Sequence, residues 1–211
     1  MIDSAELEEL FTYLADSDCY LLQLRAEILW ALGMASVYLR DTARVALELG
    51  SWTGGNLVLL SKLLRDDGIV IGVEPGLNVP LMTDKVAEMI SPVQLVHVPH
   101  KSCTPQALVM VADTLQKAGR GIDVLFIDAS HLYENVSRDY QEYSPRVSTP
   151  GVIMFHDIVG NSGSSQLWNE LRQDRAYDAK VAFLDDEYRR AVRRSGQTRE
   201  HPAPGIGILY K

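Results

Sequence analysis

The sequence has few cysteines, few basic residues and no long apolar run. Only Cys19 and Cys103 occur among 211 residues. Two thiols cannot cross-link a chain of this length, which favours a reducing cytoplasm. No run approaches the roughly 20 apolar residues of a membrane span, so no membrane partner is expected. The 20 basic and 28 acidic residues leave a net charge of −8, which argues against general nucleic-acid binding.

The first 18 residues lack Lys and Arg altogether. They carry six acidic residues instead, namely Asp3, Glu6, Glu8, Glu9, Asp16 and Asp18. A signal or transit peptide would have the opposite charge, and this again predicts a cytoplasmic protein. The remaining composition is ordinary, with 46% hydrophobic and 23% charged residues. It indicates one packed domain, with or without a small accessory piece, and excludes disorder and collagen-like structure.

Residues 1–40 have the periodicity of amphipathic helices. Apolar residues recur at helical spacing in two groups: Leu7, Leu10, Phe11 and Leu14, then Leu21, Leu24, Ile28 and Leu32. We predict an N-terminal helical cap over residues 1–40 and a main domain over residues 41–211. The cap helices either only pack against the domain or also form a substrate lid or a dimer contact, and the sequence leaves these alternatives open.

From residue 44 onward, short apolar runs alternate with helical stretches. The predicted strands are Val45–Leu49, Ile69–Val73, Val93–Val98, Val124–Ile127, Val152–Phe155, Lys180–Leu184 and Ile206–Tyr210. The predicted helices are Asn56–Leu64, Pro80–Met89, Pro105–Lys117, Leu132–Tyr143 and Ser164–Asp174. This alternation is typical of an α/β fold in which a mostly parallel sheet has helices on both faces. Between the last two strands, Tyr188–Pro204 contains five Arg and forms either a solvated loop or a lid over an anionic substrate.

A glycine-rich turn follows the first strand. Its sequence, from Glu48 to Asn56, has the spacing Gly-x-x-x-Gly-Gly, which differs from the dinucleotide and P-loop patterns. Such a turn lets a ligand approach the backbone, although a purely structural turn would have the same residues. Glu74 ends the second strand, where a carboxylate can accept hydrogen bonds from a ribose diol or, alternatively, cap a helix.

Ionisable side chains also follow two later strands. Asp128 comes after one strand, and His156 and Asp157 come after another. If those strands are neighbours, the three side chains meet at one edge and form a site for Mg²⁺ or Mn²⁺. The structural alternative is that Asp157 caps a turn and His156 bonds within the sheet edge. Near this point, a neutral His131 could act as a general base, unless it is merely structural or exposed.

Together these segments resemble the class I S-adenosylmethionine (SAM)-dependent methyltransferases. Within that class they are most similar to the macrocin-type sugar O-methyltransferases and the cephalosporin-hydroxylase-like proteins. The resemblance covers about residues 44–211. It rests on the glycine turn, the segment ending in Glu74, Phe126–Glu134, Asp139, Pro150–Ile158 and Gly205–Leu209. Several relatives carry Asp in place of Ser130, or an acidic residue in place of His156.

The resemblance implies a Rossmann-like seven-stranded sheet whose last strand is antiparallel, with SAM across its carboxyl edge. Gly50 and Gly54 would approach the methionine end of SAM, Glu74 its ribose, and residues from His100 to Ser102 its adenine. The predicted cofactor-binding residues are Glu48, Gly50, Ser51, Gly54, Asn56, Glu74, Ser102 and Asp128. The predicted metal ligands are Asp128, His156 and Asp157, and the predicted catalytic base is His131.

The resulting functional expectation is SAM-dependent methylation of a small-molecule hydroxyl, on a sugar, polyketide or phenolic product, assisted by a divalent metal. Two alternatives stay open. One is a metal-independent methyltransferase of the same fold, and the other is a SAM- or nucleotide-binding protein without catalysis. The oligomeric state is also open, and a homo-oligomer is among the alternatives.

Overall fold

The computed structural model describes residues 4–15, 17, 19, 21, 23, 25–76, 79–172, 179–181 and 205–211. These ranges contain seven α-helices, a 3₁₀ helix over Ser144–Arg146 and seven strands. The helices are α1 (Ser4–Ala15), α2 (Arg25–Leu39), α3 (Gly55–Ser61), α4 (Val79–Ile90), α5 (Pro105–Ala118), α6 (Tyr133–Tyr143) and α7 (Gly163–Leu171). The strands are β1 (Val45–Leu49), β2 (Ile69–Val73), β3 (Gln94–Val98), β4 (Ile122–Ile127), β5 (Val147–Phe155), β6 (Ala179–Val181) and β7 (Ile206–Tyr210).

The strands form one sheet in the order β3-β2-β1-β4-β5-β7-β6. Strands β1 to β5 are parallel, whereas β7 is antiparallel to both β5 and β6. The predicted α/β class and the antiparallel last strand are therefore confirmed. Every residue of β1 is buried, as expected for a central strand covered on both faces. The order of the strands reverses direction between β1 and β4, and ligands bind at such a switch point in open α/β sheets.

Two predicted strands begin too late. β4 starts at Ile122 and includes Asp123, a charged residue that is not expected inside a strand. Asp123 is accommodated there because its carboxylate accepts hydrogen bonds from the backbone N–H groups of Arg44 and Val45 at 2.7 and 2.9 Å. β5 starts at Val147, although it contains Pro150, because the β4–β5 register shifts between Ile122 and Val124. Proline is tolerated where the ladder of hydrogen bonds between strands is irregular. Because proline is rare inside regular strands, the sequence predicted a later start.

Other element bounds differ by a few residues. The third strand starts at Gln94 rather than Val93, and α3 ends at Ser61 rather than Leu64. The sixth predicted strand, Lys180–Leu184, is observed as Ala179–Val181, and its remaining residues lie outside the described part of the chain. The predicted helix end at 173–174 and the Arg-rich segment Tyr188–Pro204 lie outside it as well.

Apolar side chains form one core on each face of the sheet. Residues of α1 to α4 pack on one face, with Leu32 and Leu60 fully buried there beside Phe126 of β4. Residues of α5 to α7 pack on the other, around Phe155 and Trp168. The N-terminal helices thus share a core with the sheet. The proposed division at residue 40 stays a prediction.

Candidate active site at the carboxyl edge of the sheet

The chain segments that leave β1, β4 and β5 are joined side by side at the carboxyl edge. The Asp128 N–H donates to the Leu49 carbonyl at 2.9 Å, and the His156 N–H donates to the Ile127 carbonyl at 3.2 Å. Gly50 donates in the same way to Val73 of β2 at 2.9 Å. These bonds extend the sheet ladder past the strand ends, so the predicted site residues start from fixed, neighbouring backbone positions.

Two glycines of the turn after β1 are required by the packing of the protein itself. Gly50 has φ +88°, and a Cβ there would lie 2.4 Å from the backbone oxygen of Asp128. Gly54 has φ +82°, and a Cβ there would lie 2.6 Å from Cγ2 of Val86. Because the left-handed region strains other residues, both positions need glycine whether or not a ligand is bound. Contact of these two residues with a cofactor stays a prediction.

A cleft lies beside the turn, with about 290 Å³ of free space when its solvent-open mouth is included. Its walls come from the turn, α3, α4 and the ends of β2 and β3. They comprise Ser51, Trp52, Thr53, Gly54, Leu57, Gly72, Glu74, Val86, Leu95 and His97. Ser51, Gly54 and Glu74 were predicted cofactor residues, and the structure brings them together here.

Glu74 is oriented by the backbone around it. Its Oε2 accepts the Trp52 N–H at 3.1 Å, and its Oε1 accepts the Gly76 N–H at 3.0 Å. A carboxylate has about four acceptor positions, so both oxygens can still accept hydrogen bonds from ligand hydroxyls. The Glu74 carbonyl lies 2.9 Å from Nε2 of His97, which fixes the end of β2 against β3.

Glu48 and Asn56 form a buried pair behind the turn. The Asn56 Nδ2 donates to Glu48 Oε1 at 2.7 Å. Glu48 Oε2 and Asn56 Oδ1 are buried and accept no hydrogen bond in the structure. Burial raises the pKa of Glu48 from 4.5 to about 8, and the negative charges of Asp128 and Glu74 add to this rise although the Asn56 bond opposes it. Glu48 is therefore close enough to Asp128 and to Glu74 of the cleft wall to be affected by both charges, and its Oε2 has no hydrogen-bond partner.

Asp128, His156 and Asp157 converge as the sequence predicted. One potential ligand atom from each lies within 4.8 Å of the other two. Nδ1 of His156 lies 3.2 Å from Asp128 Oδ1 and 3.5 Å from Asp157 Oδ2. Burial lowers the pKa of His156, but the adjacent carboxylates of Asp128 and Asp157 outweigh it and hold that pKa well above its usual value.

His131 lies against the same cluster. Its Nδ1 is 3.1 Å from Asp157 Oδ2, and its side chain is 45% exposed. Asp157 itself has φ +57°, a backbone conformation that is uncommon outside glycine and concentrates at functional sites. The neighbouring Ser130 has a local structural role, because its Oγ accepts hydrogen bonds from Asn135 Nδ2 at 3.0 Å and from the Leu132 N–H at 3.4 Å at the start of α6.

The donor set of the cluster fits a small divalent cation. Two carboxylate oxygens and one imidazole nitrogen are ligands that Mn²⁺ accepts, and Mg²⁺ prefers the oxygens. Ligands at right angles around an octahedral ion with bonds of about 2.1 Å lie about 3 Å apart, close to the spacing of the His156 nitrogen from the two carboxylates. Among the described residues no other group of three such side chains meets this distance limit.

Ser102, in the loop after β3, is hydrogen-bonded to α6. It is buried, and its carbonyl oxygen accepts a hydrogen bond of 2.6 Å from the hydroxyl of Tyr143 in α6. This bond fixes the loop after β3. The predicted contact of this loop with an adenine ring stays a prediction.

The sequence interpretation missed three residues at the site. Trp52 lines the cleft with its side chain 49% exposed and its backbone at φ +36°. His97, a polar residue near the end of β3 and two positions after the apolar Leu95, was a usable signal, because alternate residues of a strand share one face. The third, Gln23, donates from Nε2 to Asp128 Oδ2 at 2.7 Å. No local pattern links residues so distant in sequence.

The fold and the site together define a class I SAM-dependent methyltransferase domain. A family model described as a methyltransferase domain matches residues 47–158, just over half of the chain. The chain therefore belongs to this methyltransferase family. The matched range runs from within β1 to just past Asp157, so it spans the glycine turn, Glu74 and the acidic cluster.

Solved methyltransferase structures share the fold at low sequence identity. An O-methyltransferase from Bacillus cereus, in complex with S-adenosylhomocysteine (SAH), has a TM-score of 0.60 at 15% identity, over 98% of this chain and 91% of that one. TomG from Streptomyces achromogenes, an O-methyltransferase involved in tomaymycin synthesis and solved with SAM, has 0.58 at 13%, over 100% and 92%. An rRNA methylase from Streptococcus thermophilus has 0.56 at 9%, over 90% and 98%. The fold alone therefore does not select the methyl acceptor.

A curated relative is the uncharacterized protein R132 of Acanthamoeba polyphaga mimivirus. It is 31% identical over 125 residues, which are 57% of this chain and 54% of that protein. The chain thus spans about half the length of the curated relative it matches. Separately, none of the described helices is both long and apolar enough to cross a membrane.

Proposed function

We propose that this chain transfers the methyl group of SAM to a hydroxyl of a small molecule, with a divalent cation at Asp128, His156 and Asp157. The observation that carries the proposal is the convergence of these three side chains with His131, whose Nδ1 is 3.1 Å from Asp157, near the cleft that contains Glu74. A methyl donor in the cleft and an acceptor at the cluster would then meet at one edge of the sheet.

The cleft and the buried pair behind it suit the polar parts of SAM. Glu74, already oriented by two backbone N–H groups, would accept hydrogen bonds from the two ribose hydroxyls. The unpaired Oδ1 of Asn56 would accept an N–H bond of the α-ammonium group, and the positive charge of that group would favour the ionised form of Glu48, whose free oxygen could then accept a second one. A buried acceptor without a partner is unfavourable, so a ligand that supplies donors is stabilised there.

The cluster would bind the acceptor hydroxyl and remove its proton. A divalent cation, when bound by Asp128, His156 and Asp157, lowers the pKa of a hydroxyl at the site. His131 would take the proton as the acceptor oxygen attacks the methyl carbon, and Asp157 would stabilise the positive charge that His131 acquires. The new bond joins oxygen to methyl while the bond from methyl to sulfur breaks, and neutral SAH leaves with the sulfur electron pair.

A metal-independent reaction is the second candidate, and one observation favours it. His156 lies between the two carboxylates with its pKa held well above the usual value. A protonated His156 would partly neutralise Asp128 and Asp157 without any cation. In that case the residues only orient His131, and catalysis comes from alignment of the acceptor with the methyl group.

The test combines binding and turnover. SAH affinity is measured by calorimetry, and SAH formation from SAM is measured with sugar, polyketide and phenolic alcohols as acceptors. We expect Asp128→Ala to abolish turnover and leave SAH affinity nearly unchanged, whereas Asp113→Ala, an exposed position in α5, changes neither. His131→Ala should lower turnover across about pH 6 to 9, because the proposed base is then missing.

Different outcomes separate the candidates. Full turnover of Asp128→Ala in EDTA would eliminate the metal-assisted reaction. Turnover of the unmodified chain that resists EDTA but is lost in His131→Ala would favour the metal-independent one. Tight SAH binding with no methylated product from any acceptor class would contradict both.

The same proposal includes a small-molecule acceptor, no nucleic-acid or membrane partner, and a cytoplasmic location. The net charge of −8 supports a small acceptor over a nucleic acid. The low cysteine content, with only Cys19 and Cys103 among 211 residues, supports a reducing compartment.

A further inference from the structure

The N-terminal part of the chain contacts the acidic cluster directly. Gln23, only 8% exposed, precedes α2 and donates from Nε2 to Oδ2 of Asp128 at 2.7 Å, across 105 residues of sequence. An amide that donates to a carboxylate fixes the rotation of that carboxylate. The orientation of Asp128 is therefore set from outside the sheet that carries it.

A second contact anchors this part of the chain close to Asp157. Glu27, four residues after Gln23 in sequence and fully buried in α2, accepts the Gly205 N–H at 3.0 Å. The Gly205 carbonyl in turn accepts the N–H of Ile158, the residue after Asp157, at 3.4 Å. Gln23 thus contacts Asp128 directly, and Glu27 is connected through Gly205 to the residue that follows Asp157.

The two oxygens of Asp128 have separate partners. Oδ2 accepts from Gln23, and Oδ1 faces Nδ1 of His156 at 3.2 Å. The Gln23 amide uses one acceptor position of Oδ2 and, by fixing the rotation of the carboxylate, keeps Oδ1 directed at His156. A carboxylate without this partner could rotate and offer its oxygens in other geometries.

We propose that Gln23 is a positioning residue that holds Asp128 as a monodentate ligand through Oδ1. The inference rests on the proposed cation site and adds to it a residue from outside the matched methyltransferase segment. Partners of metal-ligating carboxylates orient the ligand, and their loss typically weakens metal binding about 10–100-fold.

The test measures Mn²⁺ binding, which needs no acceptor. The SAH-bound chain is titrated with Mn²⁺, and free Mn²⁺ is followed by electron paramagnetic resonance. Gln23→Met keeps the length of the side chain and removes the donor. We expect its Kd for Mn²⁺ to rise about tenfold or more, with SAH affinity unchanged. Gln116→Met, the same change at an exposed position of α5, should leave both constants unchanged.

A second variant covers the case in which Gln23→Met does not fold. Gln23→Glu keeps the shape but sets two carboxylates within about 3 Å of each other, where they repel unless a cation lies between them. Its melting temperature should fall in EDTA and recover in Mn²⁺ by more than that of the unmodified chain.

The outcomes that overturn the inference differ from those that overturn the proposed function. If the unmodified chain binds Mn²⁺ and Gln23→Met binds it equally well, the positioning role is wrong and the metal site stands. A melting temperature of Gln23→Glu that is insensitive to EDTA would also refute the positioning role. If the unmodified chain binds SAH but no Mn²⁺, the metal site itself is wrong and the inference falls with it.

Discussion

Glu48→Gln should make the stability of the protein less dependent on pH. The Glu48 carboxyl titrates near 4.5 in an unfolded chain and at about 8 in the folded protein, because burial disfavours its charge. Between these pH values the folded protein holds a proton that the unfolded chain lacks. The free energy of unfolding therefore falls as the pH rises through this window. The stability that Glu48 contributes below its unfolded pKa is lost as the pH rises to about 8.

The size of the effect follows from this difference in pKa. One pKa unit corresponds to about 1.4 kcal/mol, so the contribution of Glu48 to unfolding changes by about 4 kcal/mol from about pH 5 to about pH 8. Gln has the same shape, can still accept the hydrogen bond of Asn56 and does not titrate. The stability of the variant relative to the unmodified chain should therefore rise by about this amount across the window.

Urea unfolding at several pH values measures this quantity directly. The difference between variant and unmodified chain is compared at each pH, because other titrating groups then cancel. Glu88→Gln, at an exposed position of α4, is the matched control and should leave the pH dependence unchanged. Parallel curves for Glu48→Gln and the unmodified chain would refute the conclusion that Glu48 is protonated at neutral pH.

Two further predictions concern the cleft and the turn beside it. Glu74→Gln should weaken SAH binding by about tenfold or more in calorimetry, because a charge-assisted hydrogen bond contributes about 1.5–3 kcal/mol; an unchanged affinity would exclude Glu74 from the ribose site. Gly50→Ala should lower the melting temperature far more than Gly119→Ala. Both glycines have a positive φ, but a Cβ at Gly50 meets the Asp128 backbone whereas Gly119, with φ +65°, has open space around it. Equal losses would mean that the left-handed conformation alone, and not the close contact, requires glycine at position 50.

The sheet could be predicted because its strands are short, mostly apolar runs, and those of β1, β2 and β4 are followed directly by Gly, Glu and Asp. The same logic predicted the meeting of Asp128 and Asp157, since parallel neighbouring strands end at one edge. The strand starts at Ile122 and Val147 could not be found this way, because Asp123 and Pro150 break the apolar pattern and are accommodated by a tertiary hydrogen bond and a register shift.

The rest of the site depends on contacts that no local pattern encodes. In the sequence, nothing distinguishes Gln23 from the other polar residues near the N-terminus. Only the tertiary structure brings it beside Asp128. The role of Glu74 was predictable from its place at the end of β2. The two backbone donors that orient it depend on the conformation of the turn, including the positive φ of Trp52.

The exposed indole of Trp52 gives the protein an intrinsic optical reporter of cleft occupancy. The other two tryptophans are shielded, since Trp168 is fully buried and Trp30 half-buried, and neither is part of the cleft wall. Any molecule that fills the cleft removes water from around Trp52, and its fluorescence should shift towards shorter wavelength while the other two emitters stay constant. Ligand screening on this chain therefore needs no label, and the signal comes from the residue next to the glycine turn.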